Sequence, residues 1–160
     1  MPIRSGVWNA NFLIPVNASS TTMENEFDEL QESILEDARR LYSETTIEHF
    51  MNPRNLGPMD AYDGFAEFHG PCGDTIGIWL NVDGGILTDV RFTTDGCGTS
   101  IASGSMVTEL AKGKDIDSAN DITQDDILTA LGGFPKEKEH CALLAVMSLR
   151  KAIKSLKDVL

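Results

Sequence analysis

The chain has 160 residues, 41% of them hydrophobic, which suits one ordinary core and argues against two domains. Its formal charge of −12 disfavours nucleic-acid backbones and anionic membrane surfaces, leaving metal cations and basic proteins as partners. No run matches a membrane-spanning helix, and the first residues resemble neither a secretory signal nor an Arg-rich transit peptide, so a cytoplasmic location is expected.

Residues 1–22 carry Trp8, Phe12, Leu13 and Ile14 without a sustained period, and read as a mobile extension ahead of a single domain over 23–160. From Glu24, the apolar residues Phe27, Leu30, Ile34, Ala38 and Leu41 recur three or four apart among acidic ones, which predicts a helix to about Arg40. A short helix is expected over Ser43–Met51, stopped by Asn52-Pro53-Arg54-Asn55.

Three strands follow, over 65–70, 75–82 and 86–94. Ile76, Ile78, Leu80 and Val82 alternate, and Asp83-Gly84-Gly85 marks a hairpin turn. The remainder is helical: Gly98 to Ala111, then a helix opening at Thr123 with a Thr123-x-x-Asp126 capping box, then Lys138 to Leu156. Strands first and helices after give an α+β class, a small antiparallel three-stranded sheet with helices packed on one face.

The three cysteines, Cys72, Cys97 and Cys141, cannot all pair within the chain. A cysteine alone in a loop is more often inert than functional. Each of these, however, sits at an element boundary. Cys72 lies in Gly70-Pro71-Cys72-Gly73-Asp74, Cys97 in Asp95-Gly96-Cys97-Gly98, and Cys141 follows His140 at the start of the last helix. A helix N-terminus lowers a thiol's pKa, which predicts thiolate character for both Cys97 and Cys141. The spacing fits no compact zinc finger. Chemistry alone therefore offers three soft ligands, an adjacent imidazole and one carboxylate.

Four stretches carry a resemblance. They are Tyr42-Ser43-Glu44 through Asn52-Pro53-Arg54-Asn55-Leu56-Gly57; Cys72-Gly73-Asp74; Arg91 to Ser103; and Lys138-Glu139-His140-Cys141. In this order, over roughly 42–157, they resemble the IscU/NifU-type iron–sulfur cluster assembly scaffolds. The resemblance implies that Cys72, Cys97 and Cys141 are sulfur ligands. It makes His140 an alternate or fourth ligand, Asp74 a ligand or modulator of lability, and Lys138 a modulating neighbour.

By the same resemblance the protein is a carrier rather than an enzyme. It assembles a 2Fe–2S cluster, holds Zn²⁺ as a substitute, and passes the cluster to apo iron–sulfur proteins. A cysteine desulfurase supplies sulfur, and a ferredoxin-like donor supplies electrons. Cys141 is the expected persulfide acceptor, because a flexible helix start could reach outward. Three cysteines plus a weaker fourth ligand suit a cluster meant to leave, where a permanent one uses Cys₄.

Phe134-Pro135-Lys136-Glu137-Lys138 departs from the Leu-Pro-Pro-Val-Lys of members served by a dedicated Hsp70-type chaperone, which counts against that partner. Two rivals stand beside the scaffold. One is a zinc-binding protein that relays sulfur from a desulfurase. The other, a hydrolase using Cys141 and His140, is disfavoured because consecutive helical residues point about 100° apart.

Overall fold

The computed structural model describes residues 18–159, with side chains from 22 to 156. The chain divides between Ala38 and Arg39, inside its first helix. Of the expected extension over 1–22, residues 1–17 lie outside the described residues. Helix α1 (Ala18–Leu41) starts earlier than Glu24, so the expected boundary at 22/23 falls within it. Ser and Thr cost only up to about 0.7 kcal/mol each inside a helix, too little for Ser19 to Thr22 to act as a stop. Its apolar Phe27, Leu30 and Ile34 are exposed.

The second unit takes in the end of α1 and then α2 (Glu44–Met51), where the Ser43 hydroxyl accepts the Thr46 N–H and supplies the cap. Strands β1 (Gly64–His69), β2 (Thr75–Asp83) and β3 (Ile86–Thr94) form one antiparallel sheet in the order β1-β2-β3. Gly84 and Gly85 both have positive φ, 58° and 80°, as a two-residue turn matching the twist of its strands requires. The predicted alternation sets the register: Ile76, Ile78 and Leu80 face the core and are fully buried. On the opposite face Phe65 and Trp79 pack with ring centroids 4.5 Å apart.

Beyond β3 come α3 (Gly98–Ala111), α4 (Ile116–Asn120), α5 (Gln124–Leu131), a 3₁₀ turn at Lys136–Lys138, and α6 (His140–Val159). Helix α6 packs on β1 and β2 and α3 on β3, so one face of the sheet is covered, as the class assignment requires. The capping box at Thr123 and Asp126 is formed. Helix α4 was not expected; the Asp115 side chain caps it by accepting the Ser118 N–H at 2.9 Å.

A close approach seats α3, and a backbone pairing covers an edge of β3. A Cβ on Gly104 would lie 2.4 Å from Cδ2 of Phe92, so only glycine lets the helix approach that fully buried ring. The Asn52-Pro53-Arg54-Asn55 segment does more than stop α2. It runs along β3: the Phe92 N–H donates to Asn55 O at 3.0 Å, and the Gly57 N–H donates to Phe92 O at 2.8 Å. The backbone groups on that edge of β3 are thereby partly satisfied.

Candidate metal centre

Three segments converge at one end of the sheet: the β1–β2 turn, the β3–α3 junction, and the start of α6. The turn is closed by the Gly70 N–H donating to Asp74 O at 2.8 Å and the Gly73 N–H donating to Gly70 O at 3.0 Å. At the junction the Thr75 N–H donates to Asp95 Oδ1 at 2.7 Å, tying the turn to the chain end that carries Cys97. The start of α6 is held by Gln124, whose amide donates to Glu139 O at 2.9 Å.

These anchors bring together Asp74, Cys97 and Cys141, one ligand atom of each lying within 4.8 Å of the others. Cys72 lies outside that group, exposed in the turn, though its sulfur is near enough to act electrically on Cys141. His140 is exposed, with Nε2 3.7 Å from Cys141 Sγ. Lys138 is half-buried, and its charge reaches Cys97.

The two thiols at helix starts differ. Burial pushes Cys97 up, but the Thr99 hydroxyl, the Ser100 and Thr99 N–H groups and the Lys138 charge outweigh it, and the thiol titrates below its ordinary range. Cys97 is the residue just before α3, beside the first-turn N–H groups that have no partner within the helix. Cys141 lies inside the first turn of α6 and is 0% exposed. Its burial raises its pKa despite hydrogen bonds with Thr99 and Ser100, and Cys97 and Cys72 raise it further. The expectation of a thiolate at Cys141 is therefore corrected, as is that of an outward-reaching side chain. Burial, not the helix terminus, governs this sulfur.

Two residues in the site were not singled out from sequence. The Thr99 hydroxyl lies 3.1 Å from Cys97 Sγ and 3.3 Å from Cys141 Sγ. The Ser100 hydroxyl lies 2.7 Å from Asp74 Oδ2 and 3.5 Å from Cys141 Sγ. The available signal was their place in the first turn of a helix that opens on a cysteine. Hydroxyls there face the same space as the cap residue's side chain.

Soft sulfurs and a carboxylate at this separation form a donor set suited to iron or zinc. The fold and this end of it define a known class: the chain belongs to the NifU-like N-terminal domain family, whose model matches residues 41–159. Among its relatives is the iron–sulfur cluster assembly scaffold protein IscU 1 of Archaeoglobus fulgidus, 46% identical over 114 residues, spanning 71% of this chain and 74% of that protein. The IscU scaffold of Escherichia coli K12 is 44% identical over 122 residues, spanning 73% of this chain and 94% of that protein. The fold is shared with the crystal structure of an N-terminal NifU-like protein from Brucella abortus. That match has a TM-score of 0.58 at 20% identity and covers 74% of this chain and 95% of the other.

Proposed function

We propose that this chain is a scaffold on which an iron–sulfur cluster of the 2Fe–2S type is assembled and from which it passes to apo-proteins. The observation that carries the reading is the gathering of Asp74, Cys97 and Cys141 within 4.8 Å in a chain of this family. Cys97 and Cys141 act as sulfur ligands. Cys72 completes the thiolates when its exposed turn closes, and His140 or Asp74 takes the remaining position. An oxygen or imidazole there binds iron less firmly than a fourth thiolate, which favours release of the cargo. Zn²⁺ is accepted by the same donors when iron is absent.

The sulfur source is a cysteine desulfurase. Its persulfide is attacked at the outer sulfur by a cysteine of this chain, releasing the desulfurase thiolate, and two electrons from a ferredoxin-like donor then reduce that sulfur to sulfide. Cys141 is the acceptor in this scheme, and its burial means the start of α6 must open for the attack. An acidic surface, with net charge −12, suits basic partner faces. No described helix is long and apolar enough to cross a membrane.

The test is anaerobic reconstitution followed by cluster absorbance over time, with sulfur supplied either as free sulfide or through a desulfurase. Wild type is expected to form a coloured cluster by both routes. Cys141→Ser should lose the desulfurase route far more than the sulfide route. Failure of the wild type to build a cluster by either route would leave the zinc-bound sulfur relay as the better reading. Normal desulfurase-driven assembly in Cys141→Ser would move the acceptor role to Cys97 or Cys72.

A further inference from the structure

Ser100 is fully buried in the first turn of α3, and its hydroxyl lies between two of the proposed ligands. A serine has one hydroxyl proton. Asp74 Oδ2, at 2.7 Å, takes it in preference to Cys141 Sγ at 3.5 Å, because the carboxylate oxygen is both nearer and the stronger acceptor. Gly96 flanks this same hydrogen bond. A Cβ on Gly96 would lie 2.6 Å from Asp74 Oδ2 and 2.6 Å from Ser100 Cβ. Glycine at 96 therefore leaves a gap that the Asp74–Ser100 pair fills. Asp74 comes from the exposed β1–β2 turn, whereas Ser100 belongs to a rigid helix packed on the sheet. The bond thus fixes a ligand from a loop to a residue of the core.

We infer that Ser100 is a positioning residue that fixes the Asp74 carboxylate beside Cys97 and Cys141, so that the oxygen is already in place when a divalent metal arrives. Its hydrogen bond engages Oδ2 and leaves the remaining lone pairs of the carboxylate for the metal. The inference rests on the proposed role of this site in binding iron, and it assigns to Ser100 the part that an outer hydrogen-bond partner plays for a ligating carboxylate. Loss of such a partner typically lowers metal affinity 10–100-fold.

The experiment is titration of the metal-free protein with Co²⁺ under anaerobic conditions, following the sulfur-to-cobalt charge-transfer and ligand-field bands. Wild type, Ser100→Ala, Asp74→Ala, the double variant and Ser148→Ala are compared. Ser148 is also fully buried and donates to Leu144 O at 2.8 Å, so it controls for the loss of any buried hydroxyl. Ser100→Ala is expected to bind Co²⁺ about 10–100-fold more weakly and to shift the ligand-field bands toward those of Asp74→Ala. In the Asp74→Ala background the same change should alter affinity by no more than about 2-fold, the scatter of independent sites. Ser148→Ala should bind as wild type does.

If Asp74→Ala weakens binding while Ser100→Ala does not, Ser100 has no positioning role and the metal site itself stands. An equal loss in Ser148→Ala, or a full additional loss in the double variant, would also overturn the inference. A wild-type protein that shows no sulfur-to-cobalt band removes the metal site and this inference together.

Discussion

Helix α3 carries buried hydroxyls toward both ends, and the partners they meet are of different kinds. In its C-terminal half, Ser105 Oγ accepts the Arg54 N–H at 2.9 Å and lies 2.7 Å from His49 Nδ1. Thr108 Oγ1 donates to Ser105 O at 2.7 Å and accepts from the Asn55 amide at 3.1 Å. Those partners are backbone groups, an imidazole and an amide, all with fixed places in the fold. In the first turn, Thr99 and Ser100 face two sulfurs and a carboxylate. Such groups can exchange a hydroxyl for a metal. One helix thus anchors the loop over 52–57 at one end and keeps replaceable contacts at the other. The difference lies in the chemistry of the partner, since hydroxyl burial is alike at both ends.

The widest gap between the two ends should appear in stability. Ser105→Ala removes the acceptor of the Arg54 N–H and the hydroxyl facing His49, leaving two polar groups without their partner. At about 1–3 kcal/mol for each unsatisfied group, a loss of at least about 2 kcal/mol is expected, read from the urea midpoint. Ser100→Ala releases a carboxylate that is only half-buried and can turn to water, so its cost should stay below about 1 kcal/mol. Equal losses in the two variants would break the contrast.

A smaller effect sharpens the same contrast through pH. His49 titrates below its ordinary value of 6.5, first because it is buried and next because the Arg54 charge is near. Ser105 already accepts from Arg54 and has its own proton to give, so the geometry favours a neutral ring whose Nδ1 accepts. A pKa lower in the folded than in the unfolded chain means the unfolded chain takes up the proton first. The contribution is therefore whole above 6.5 and is lost as the pH falls from there toward the folded value. The urea midpoint should drop between pH about 7.5 and about 5.5, and His49→Gln should reduce that slope. An unchanged slope in the variant would show that His49 is not the group responsible.

Much of this arrangement was legible in the sequence, for local reasons. The alternation of Ile76, Ile78 and Leu80 reports directly on which face of β2 is buried, and the Gly84-Gly85 pair reports on the turn. Helix α3 was legible because glycines and a cysteine precede it and Lys112-Gly113 follows it. The convergence of Asp74, Cys97 and Cys141 followed from the matched motifs, since their separation in sequence gives no geometric signal. The state of Cys141 was not legible. One residue's shift along a helix start decides whether a sulfur meets free N–H groups or the core, and periodicity does not resolve that. The pairing of Ser105 with His49 and Arg54 was hidden for a related reason. It joins residues more than fifty positions apart, and each is unremarked in its own segment.

The smallest expected change in stability is at Thr99, and there the contrast shows in reactivity. Its hydroxyl has one proton and lies near two sulfurs, at 3.1 Å from Cys97 and 3.3 Å from Cys141. Sulfur is a weak acceptor, and Cys97 is exposed to water. Thr99→Val, which keeps the shape and removes the hydroxyl, should therefore cost less than about 1 kcal/mol. Among the influences that lower the Cys97 pKa, however, the Thr99 hydroxyl is the foremost. Its loss should raise that pKa, so a smaller share of Cys97 is thiolate at neutral pH and alkylation by iodoacetamide slows. Cys141 should stay slow in both proteins, because its sulfur is fully buried and burial has already raised its pKa. The measurement is the rate of labelling at each cysteine against pH, resolved by peptide mass. The Cys97 profile should move to higher pH in Thr99→Val and the Cys141 profile should remain the slower of the two. A Cys97 profile that does not move would mean that the N–H groups of Thr99 and Ser100 and the Lys138 charge suffice to hold the thiolate. The first-turn hydroxyl would then have no part in setting the reactivity of Cys97.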